Sequence, residues 1–460
     1  MSRRQSLHGQ WSSRLAFVLA ATGAAVGLGN IWKFPYMTGA NGGGAFVLIY
    51  LACVLAIGLP VFMAEAMLGR RGRRNPINAM RLLSEEESGG TWWQLVGWMG
   101  VLAGILILSY YSVIAGWTFS YTIDTVRGVF VGADSATVTD HFSALMASPG
   151  QLVLWHTIFI ALTVYVVGRG VEQGLEKAVK YLMPALFVLL LALVAYSMTT
   201  GYFMEGLRYM FKPDFSQVTG QTVLDAMGQA FFSLSLGMGA IMAYGAYLPD
   251  DASIAETSFT VVLADTSVAL LAGVAIFPIV LLNGLNPGAG PGLVFQTLPL
   301  AFGHMPGGVV FGTLFFILLI FAAWSSSIGL IEPAVARLVE NHNLTRPRAA
   351  ALIGVVVWVL GLLTVLSFNE LSHVTFLAGS IFDNLDFLTS NILLPLGGLL
   401  IAVFAGWVMC KSSTVDELEM GIGFRYGIWR FLTRFVAPLA LVVIFLNATG
   451  MLGLLRSTNA

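Results

Sequence analysis

One feature constrains this chain more than any other. Eleven stretches of mostly apolar residues recur along it, at about 14–39, 44–69, 93–125, 151–168, 176–200, 222–247, 257–283, 308–338, 348–367, 375–408 and 427–453. A helix needs roughly 20 such residues to cross the hydrocarbon core of a bilayer. In lipid every backbone N–H and C=O must be paired within the protein, so such stretches fold as helices. The longest connections, 126–150 and 284–307, leave no room for a soluble catalytic domain. Composition agrees, with 57% hydrophobic and 10% charged residues among 460 and a mean hydropathy of +0.82. A soluble domain carries about 25% charged residues. The expected fold class is therefore an all-α integral membrane protein of about 11 transmembrane helices.

Lys and Arg number 23 against 24 Asp and Glu, a net charge of -1, so no basic footprint for nucleic acid exists. Cys53 and Cys410 are the only cysteines, read as small apolar residues within hydrophobic runs and not as a disulfide or metal pair. No cleavage site follows the first apolar stretch, so no removable signal peptide is expected. An odd number of spans puts the termini on opposite sides. With the N-terminus inside, 18 of the 23 Lys and Arg fall at cytoplasmic ends, the cluster Arg70, Arg71, Arg73 and Arg74 among them. Arg127, Arg208, Lys212 and Arg456 lie outside and Lys33 within the first span, which sets a cytoplasmic N-terminus and an external C-terminus.

Spans one and six are interrupted by glycine. The first reads Gly23-Ala24-Ala25-Val26-Gly27-Leu28-Gly29-Asn30 and the sixth Phe232-Ser233-Leu234-Ser235-Leu236-Gly237-Met238-Gly239. Glycine at mid-membrane weakens a helix and frees carbonyls, which is tolerated only where the backbone is buried or lines a cavity. Close helix packing through small residues is the alternative for either segment alone. Their positions, as corresponding members of two five-helix halves, favour the inverted repeat of secondary transporters, with the site at the paired breaks. Residues 1–205 would form the first half, 206–410 the second, and 411–460 an accessory eleventh helix.

Neutral oxygens crowd these breaks: Asn30, Gln229, Ser233, Ser235 and the triplet Ser325-Ser326-Ser327. Oxygen ligands suit hard cations such as Na+. Ionisable residues within spans are costly and mark function; they are Lys33, Glu65, Asp265, Glu332, Asp383 and Asp386. Asp265, near the middle of span seven, must be protonated, ion-paired or cation-bound. The histidines show no metal-protease spacing, and one asymmetric pair of breaks suits alternating access better than a pore. Residue chemistry alone does not name the solute.

The motifs Trp11-x-x-Arg14-Leu15, Gly23-x-Ala25-Val26-Gly27-Leu28-Gly29-Asn30-Ile31-Trp32-x-Phe34-Pro35, Asn41-Gly42-Gly43-Gly44-Ala45-Phe46 and Phe231-Phe232-Ser233-Leu234-Ser235 resemble those of the neurotransmitter:sodium symporter family, which has the leucine-transporter fold. The length and short loops look like its bacterial members that carry several hydrophobic amino acids. The resemblance implies two sodium sites. One would use Ala25, Asn30, Ser233 and Asp265 with the substrate carboxylate; the other Gly23, Val26, Ala322, Ser325 and Ser326. The amino acid would lie among Ala24, Leu28, Gly29, Ile107, Tyr111, Phe232, Ser233, Ser235, Met238, Ser326 and Leu330. Lys33 and Asp386 would gate the outside, Trp11, Tyr247 and Glu340 the inside, and Gly174 with Pro184 would mark unwinding that opens the inner sodium site.

Three departures from the family pattern carry expectations. Lys33 replaces an Arg, so its pairing with Asp386 should be weaker and water-bridged. His8 stands where the inner latch to Glu340 has an Arg, and Arg3 or Arg4 is the expected substitute. Ala269 replaces a Ser of chloride-dependent relatives while Asp265 replaces their Asn, which implies transport without chloride and possible proton antiport. The expected activity is import of hydrophobic, aliphatic and aromatic L-amino acids across the cell membrane by a sodium symporter, not an enzyme, with no obligatory protein partner. A proton-coupled carrier on the same scaffold and a non-transporting receptor are the alternatives.

Overall fold

A computed structural model describes residues 4–87, 89–286 and 292–451. Arg3 and Arg456, counted above toward orientation, and the end of the last expected span lie outside them. Among the described residues nine helices are long and apolar enough to cross a membrane: α3 (Gly44–Gly72), α4 (Thr91–Val126), α5 (Pro149–Gly168), α6 (Val171–Met198), α9 (Ile254–Leu282), α10 (Gly308–His342), α11 (Arg346–Ser367), α12 (Ile381–Val408) and α13 (Phe424–Ala448). The first expected span is a pair, α1 (Arg14–Ala25) and α2 (Gly29–Ala40), bent by 56°. The sixth is a shorter pair, α7 (Gly220–Ser233) and α8 (Ala240–Gly245), separated by non-helical Leu234–Gly239. Among the described residues the sole β feature is an isolated bridge, Phe376 to Gly379.

That bridge corrects one boundary. The tenth span, expected from 375, begins at Ile381, because Ser380 caps the helix and the preceding residues form a turn clamped by Asn384. Cys410 is also corrected: it is exposed and not part of an apolar run. The helix ends at Val408, the Cys410 amide donates to Glu87, and hydrogen bonds from Ser412 and Ser413 hold the thiol below its ordinary pKa.

Proline shapes several spans. Wide π-helical turns at Gly29–Lys33, Val54–Gly58, Leu293–Thr297, Phe387–Leu393 and Leu432–Val436 each end one residue before an X-Pro step, at Pro35, Pro60, Pro299, Pro395 and Pro438. Proline lacks an N–H and its ring presses on the carbonyl four residues back, and a widened turn relieves both.

The two longest helices, α4 and α10, pack against each other, and α1 inserts between α9, α10 and α6. Helix α3 lies so close to α8 that a Cβ on Gly69 would stand 2.0 Å from the Met242 carbonyl oxygen. Both interrupted pairs are thus buried at the centre, where their exposed backbone meets protein and not lipid.

Candidate functional site

The break after α1 is short. Val26 turns extended (φ -68, ψ 106), and the Gly27 amide donates to the Asn30 side chain at 3.2 Å. The released carbonyls find one common partner: Ser326 Oγ on α10 lies 3.4, 3.1 and 3.1 Å from the carbonyl oxygens of Gly23, Ala24 and Val26. A hydroxyl has a single proton, so this cluster holds more acceptors than donors. Ser325 Oγ donates back to the carbonyls of Phe321 and Ala322 at 2.9 and 3.1 Å, and the Cβ atoms of Gly23 and Ser325 would nearly touch. The five residues Gly23, Val26, Ala322, Ser325 and Ser326 are therefore brought together as an oxygen-rich group.

The second group lies on the other side of the break. Asn30 Nδ2 donates to Asp265 Oδ1 at 2.8 Å, and Ser233 pairs with the Tyr50 hydroxyl at 3.2 Å. Asp265 is fully buried, and among the described residues its Oδ2 has no hydrogen-bond partner. An orphaned carboxylate oxygen in such a place is costly unless a cation or proton meets it. Ala269, one turn further along α9, is also fully buried.

The break between α7 and α8 carries three left-handed residues, Ser235 (φ 54), Gly237 (φ 83) and Gly239 (φ 74). Ser235 has a side chain in that region, a strain of the kind that persists at functional sites, and its hydroxyl donates to the Ala24 carbonyl at 3.1 Å. Gly237 has no alternative: its amide donates to buried Glu65, and a Cβ would stand 2.5 Å from the Leu394 carbonyl oxygen.

Between the breaks lies a small cavity of about 40 Å³ lined by Ala25, Gly27, Leu28, Gly29, Ile107, Tyr111, Phe232, Ser233, Ser235, Met238, Ser326 and Leu330. Ten of the eleven residues expected around a substrate are in that wall. Ala24 is not: its carbonyl is taken by the two serine hydroxyls and its side chain packs on Gly329. Ala25, expected only as a sodium ligand, and Gly27 join the wall. The Leu28 amide donates to the Tyr111 hydroxyl at 3.3 Å, which gathers two donors suited to a carboxylate.

Above the cavity Lys33 Nζ stands 4.1 Å from the Phe232 ring centroid. Asp386 accepts instead from Ser390 at 2.8 Å and Tyr110 at 3.3 Å, so Lys33 and Asp386 make no direct ion pair. On the N-terminal side, Trp11 is 2% exposed and donates to the carbonyls of Tyr247 and Tyr244 through its amide and indole N–H. Tyr247 does not meet Glu340. Its hydroxyl donates to buried Glu332 at 2.6 Å, and Arg346 completes that group. Glu340 is met by His8 Nε2 at 3.0 Å. The expected substitute, Arg4, pairs with Glu86 at 3.1 Å, and Arg3 is not described. Gly174 lies in the π-helical start of α6, where a Cβ would stand 2.1 Å from the Val166 carbonyl oxygen, and Pro184 sits inside the same helix.

Three partners escaped sequence reasoning: Arg346 for Glu332, Glu65 for the second break, and Glu176, which receives the Ser12 amide at 2.9 Å. All are long-range pairs that no local spacing announces, although buried Glu65 and Glu332 were conspicuous as charges within spans.

Bent helices around a small cavity, with oxygen clusters beside it, are the architecture of a membrane transporter. A profile of the sodium:neurotransmitter symporter family matches residues 8–136 and 136–452. The crystal structure of MhsT in complex with L-phenylalanine superposes with a TM-score of 0.88 at 42% identity, covering 96% of this chain and 99% of that one. The sodium-dependent transporter YhdH of Bacillus subtilis is 39% identical, with 96% of this chain and 98% of the relative covered. A sodium-dependent transporter of Methanocaldococcus jannaschii is 31% identical, with coverages of 96% and 91%. The chain belongs to the sodium:neurotransmitter symporter family. It is a multi-pass, sodium-dependent membrane transporter and not an enzyme.

Proposed function

We propose that this protein imports hydrophobic L-amino acids by Na+-coupled alternating access. The observation that carries the reading is the cavity wall: apolar Ile107, Phe232, Met238 and Leu330 face it, while backbone amides and the Tyr111 hydroxyl line its polar end. Among the described residues no charged side chain lines this cavity, so a polar or ionic substrate side chain would be desolvated without a partner in its wall. Relatives support the class, since MhsT was crystallised with L-phenylalanine. At about 40 Å³ the cavity must open to admit such a solute, as alternating access requires.

Two Na+ ions are the driving co-substrates in this reading. Asp265, Asn30, Ser233 and the Ala25 carbonyl would hold one with the substrate carboxylate. Gly23, Val26 and Ala322 carbonyls with Ser325 and Ser326 would hold the other. Moving one charge through 100 mV is worth about 2.3 kcal/mol, or roughly fiftyfold accumulation. The fixed charge of Asp265 does the work of a chloride ion, and Ala269 offers no hydroxyl to bind one. After Na+ leaves, burial favours the neutral carboxyl, which then carries a proton outward on the return step. Residues 1–205 and 206–410 act as the two inverted halves, with 411–460 accessory. The N-terminus faces the cytoplasm of a cell that holds the protein in its plasma membrane, as the basic residues indicate. Uptake at constant Na+ with gluconate replacing chloride tests the anion claim: an unchanged rate is expected, and a large drop refutes it.

A further inference from the structure

The segment before α1 is a strap fastened to four different elements. His8 meets Glu340 on α10, Trp11 meets the carbonyls of Tyr244 in α8 and Tyr247 just after it, Ser12 meets Glu176 on α6, and Arg14, where α1 begins, meets Glu256 on α9 at 2.9 Å. Arg14 and Glu256 are both largely exposed, and such pairs contribute little. The contact of His8 with Glu340 differs in being both buried and titratable, with the side chains 3% and 1% exposed.

Glu340 is fixed in place. It accepts from the Asn75 amide at 2.7 Å, Asn75 Nδ2 at 2.6 Å and Asn78 Nδ2 at 3.0 Å. His8 is the variable member, since an imidazole ring can meet a carboxylate in either a neutral or a protonated form. Its other neighbours are engaged with partners of their own or lie at the surface. Tyr247 presents its ring edge-on, with centroids 5.6 Å apart, and its hydroxyl is committed to Glu332, which Arg346 balances. Arg337, one turn before Glu340, donates to Asn78, Arg74 donates to the carbonyls of Gln5 and Arg73, and His342 is exposed at the end of α10. These cations oppose a charge on His8, but Glu340 is the ionised group in direct contact.

We propose that His8 makes the cytoplasmic gate responsive to the pH of that compartment. Protonated, it fastens the strap over Trp11 through a charge-assisted bond; neutral, it keeps an ordinary hydrogen bond and the strap releases more readily. A charge-assisted bond is roughly twice as strong as a neutral one, so acidification should favour the fastened strap by about tenfold. The sign is opposite to that of proton uptake by Asp265, which internal acid would promote. The inference rests on the alternating-access reading only for its consequence in transport.

The test measures the strap itself. In a Cys53→Ser, Cys410→Ser background, spin labels at Gln10→Cys and Thr345→Cys, both exposed positions, report the distance from strap to α11 by pulsed electron resonance. With His8 present, the ratio of released to fastened strap should rise about tenfold from pH 5.5 to pH 8. His8→Arg should stay fastened throughout, and His8→Gln should give one ratio at every pH. Should His8→Arg not fold, His8→Lys supplies the fixed charge. The same pH profile in all three, or none in the His8 protein, overturns the proposal. A responsive strap in a protein without Na+-driven uptake would instead refute the transport reading and leave the switch standing.

Discussion

Asp265→Asn is the most informative single substitution, because it keeps the shape of the side chain and removes only its charge. The Asn30 contact to Oδ1 at 2.8 Å can survive in the amide, while the position of the orphaned Oδ2 is lost as a cation ligand. A unit charge about 4 Å from a cation at an effective dielectric of about 20 is worth roughly 4 kcal/mol. Removing the cost of burying an unpaired carboxylate offsets part of this, so a 100- to 1,000-fold loss of Na+ affinity is expected. The assay is binding of labelled leucine to purified protein across a Na+ titration, followed by uptake in proteoliposomes with a luminal pH dye. The variant should need far more Na+ and should lose any exchange of protons during uptake. A shift in half-saturating Na+ below about threefold, with proton movement intact, would refute the role given to this carboxylate.

Other substitutions probe separate parts of the site. Ser326→Ala removes the hydroxyl that meets the Gly23, Ala24 and Val26 carbonyls and with it one oxygen ligand of the second sodium site; a loss of about 1–3 kcal/mol should raise half-saturating Na+ roughly five- to 150-fold in the same titration. Met238→Phe fills the cavity beside Leu330 and Ile107; overpacking of about 1–3 kcal/mol should fall harder on tryptophan than on valine in competition uptake, and an equal effect on both would count against this wall as the side-chain pocket. Glu332→Gln leaves Arg346 without its buried carboxylate partner; broken buried pairs cost about 3–5 kcal/mol, so the detergent-solubilised variant should melt several degrees lower, and an unchanged Tm would show the pair to be dispensable.

What was legible in the sequence follows the physics of each feature. Spans and both breaks could be read locally, because apolar length and clustered glycines act through the residues that contain them. The cavity wall came from motif resemblance, since Ile107, Tyr111, Met238 and Leu330 are ordinary membrane residues whose convergence is a property of packing. Lost to sequence reasoning were pairings across the fold. Nothing near Arg346 announces Glu332, and His8 looked like a gap in a latch until it was found on Glu340. Five of the π-helical turns were within reach, because each lies just before an X-Pro step, whereas those at Val171–Glu176 and Phe404–Val408 have no such mark.

The central claim is that a Na+ gradient drives apolar amino acids through the cavity between the two breaks. It is tested most directly by uptake of labelled leucine and phenylalanine into proteoliposomes with an inward Na+ gradient, against equal gradients of K+ and choline. Concentrative uptake with Na+ alone, competed by valine and tryptophan and not by glutamate or lysine, is the predicted result. Equal uptake in choline, or competition by glutamate and lysine as strong as by valine, would contradict it.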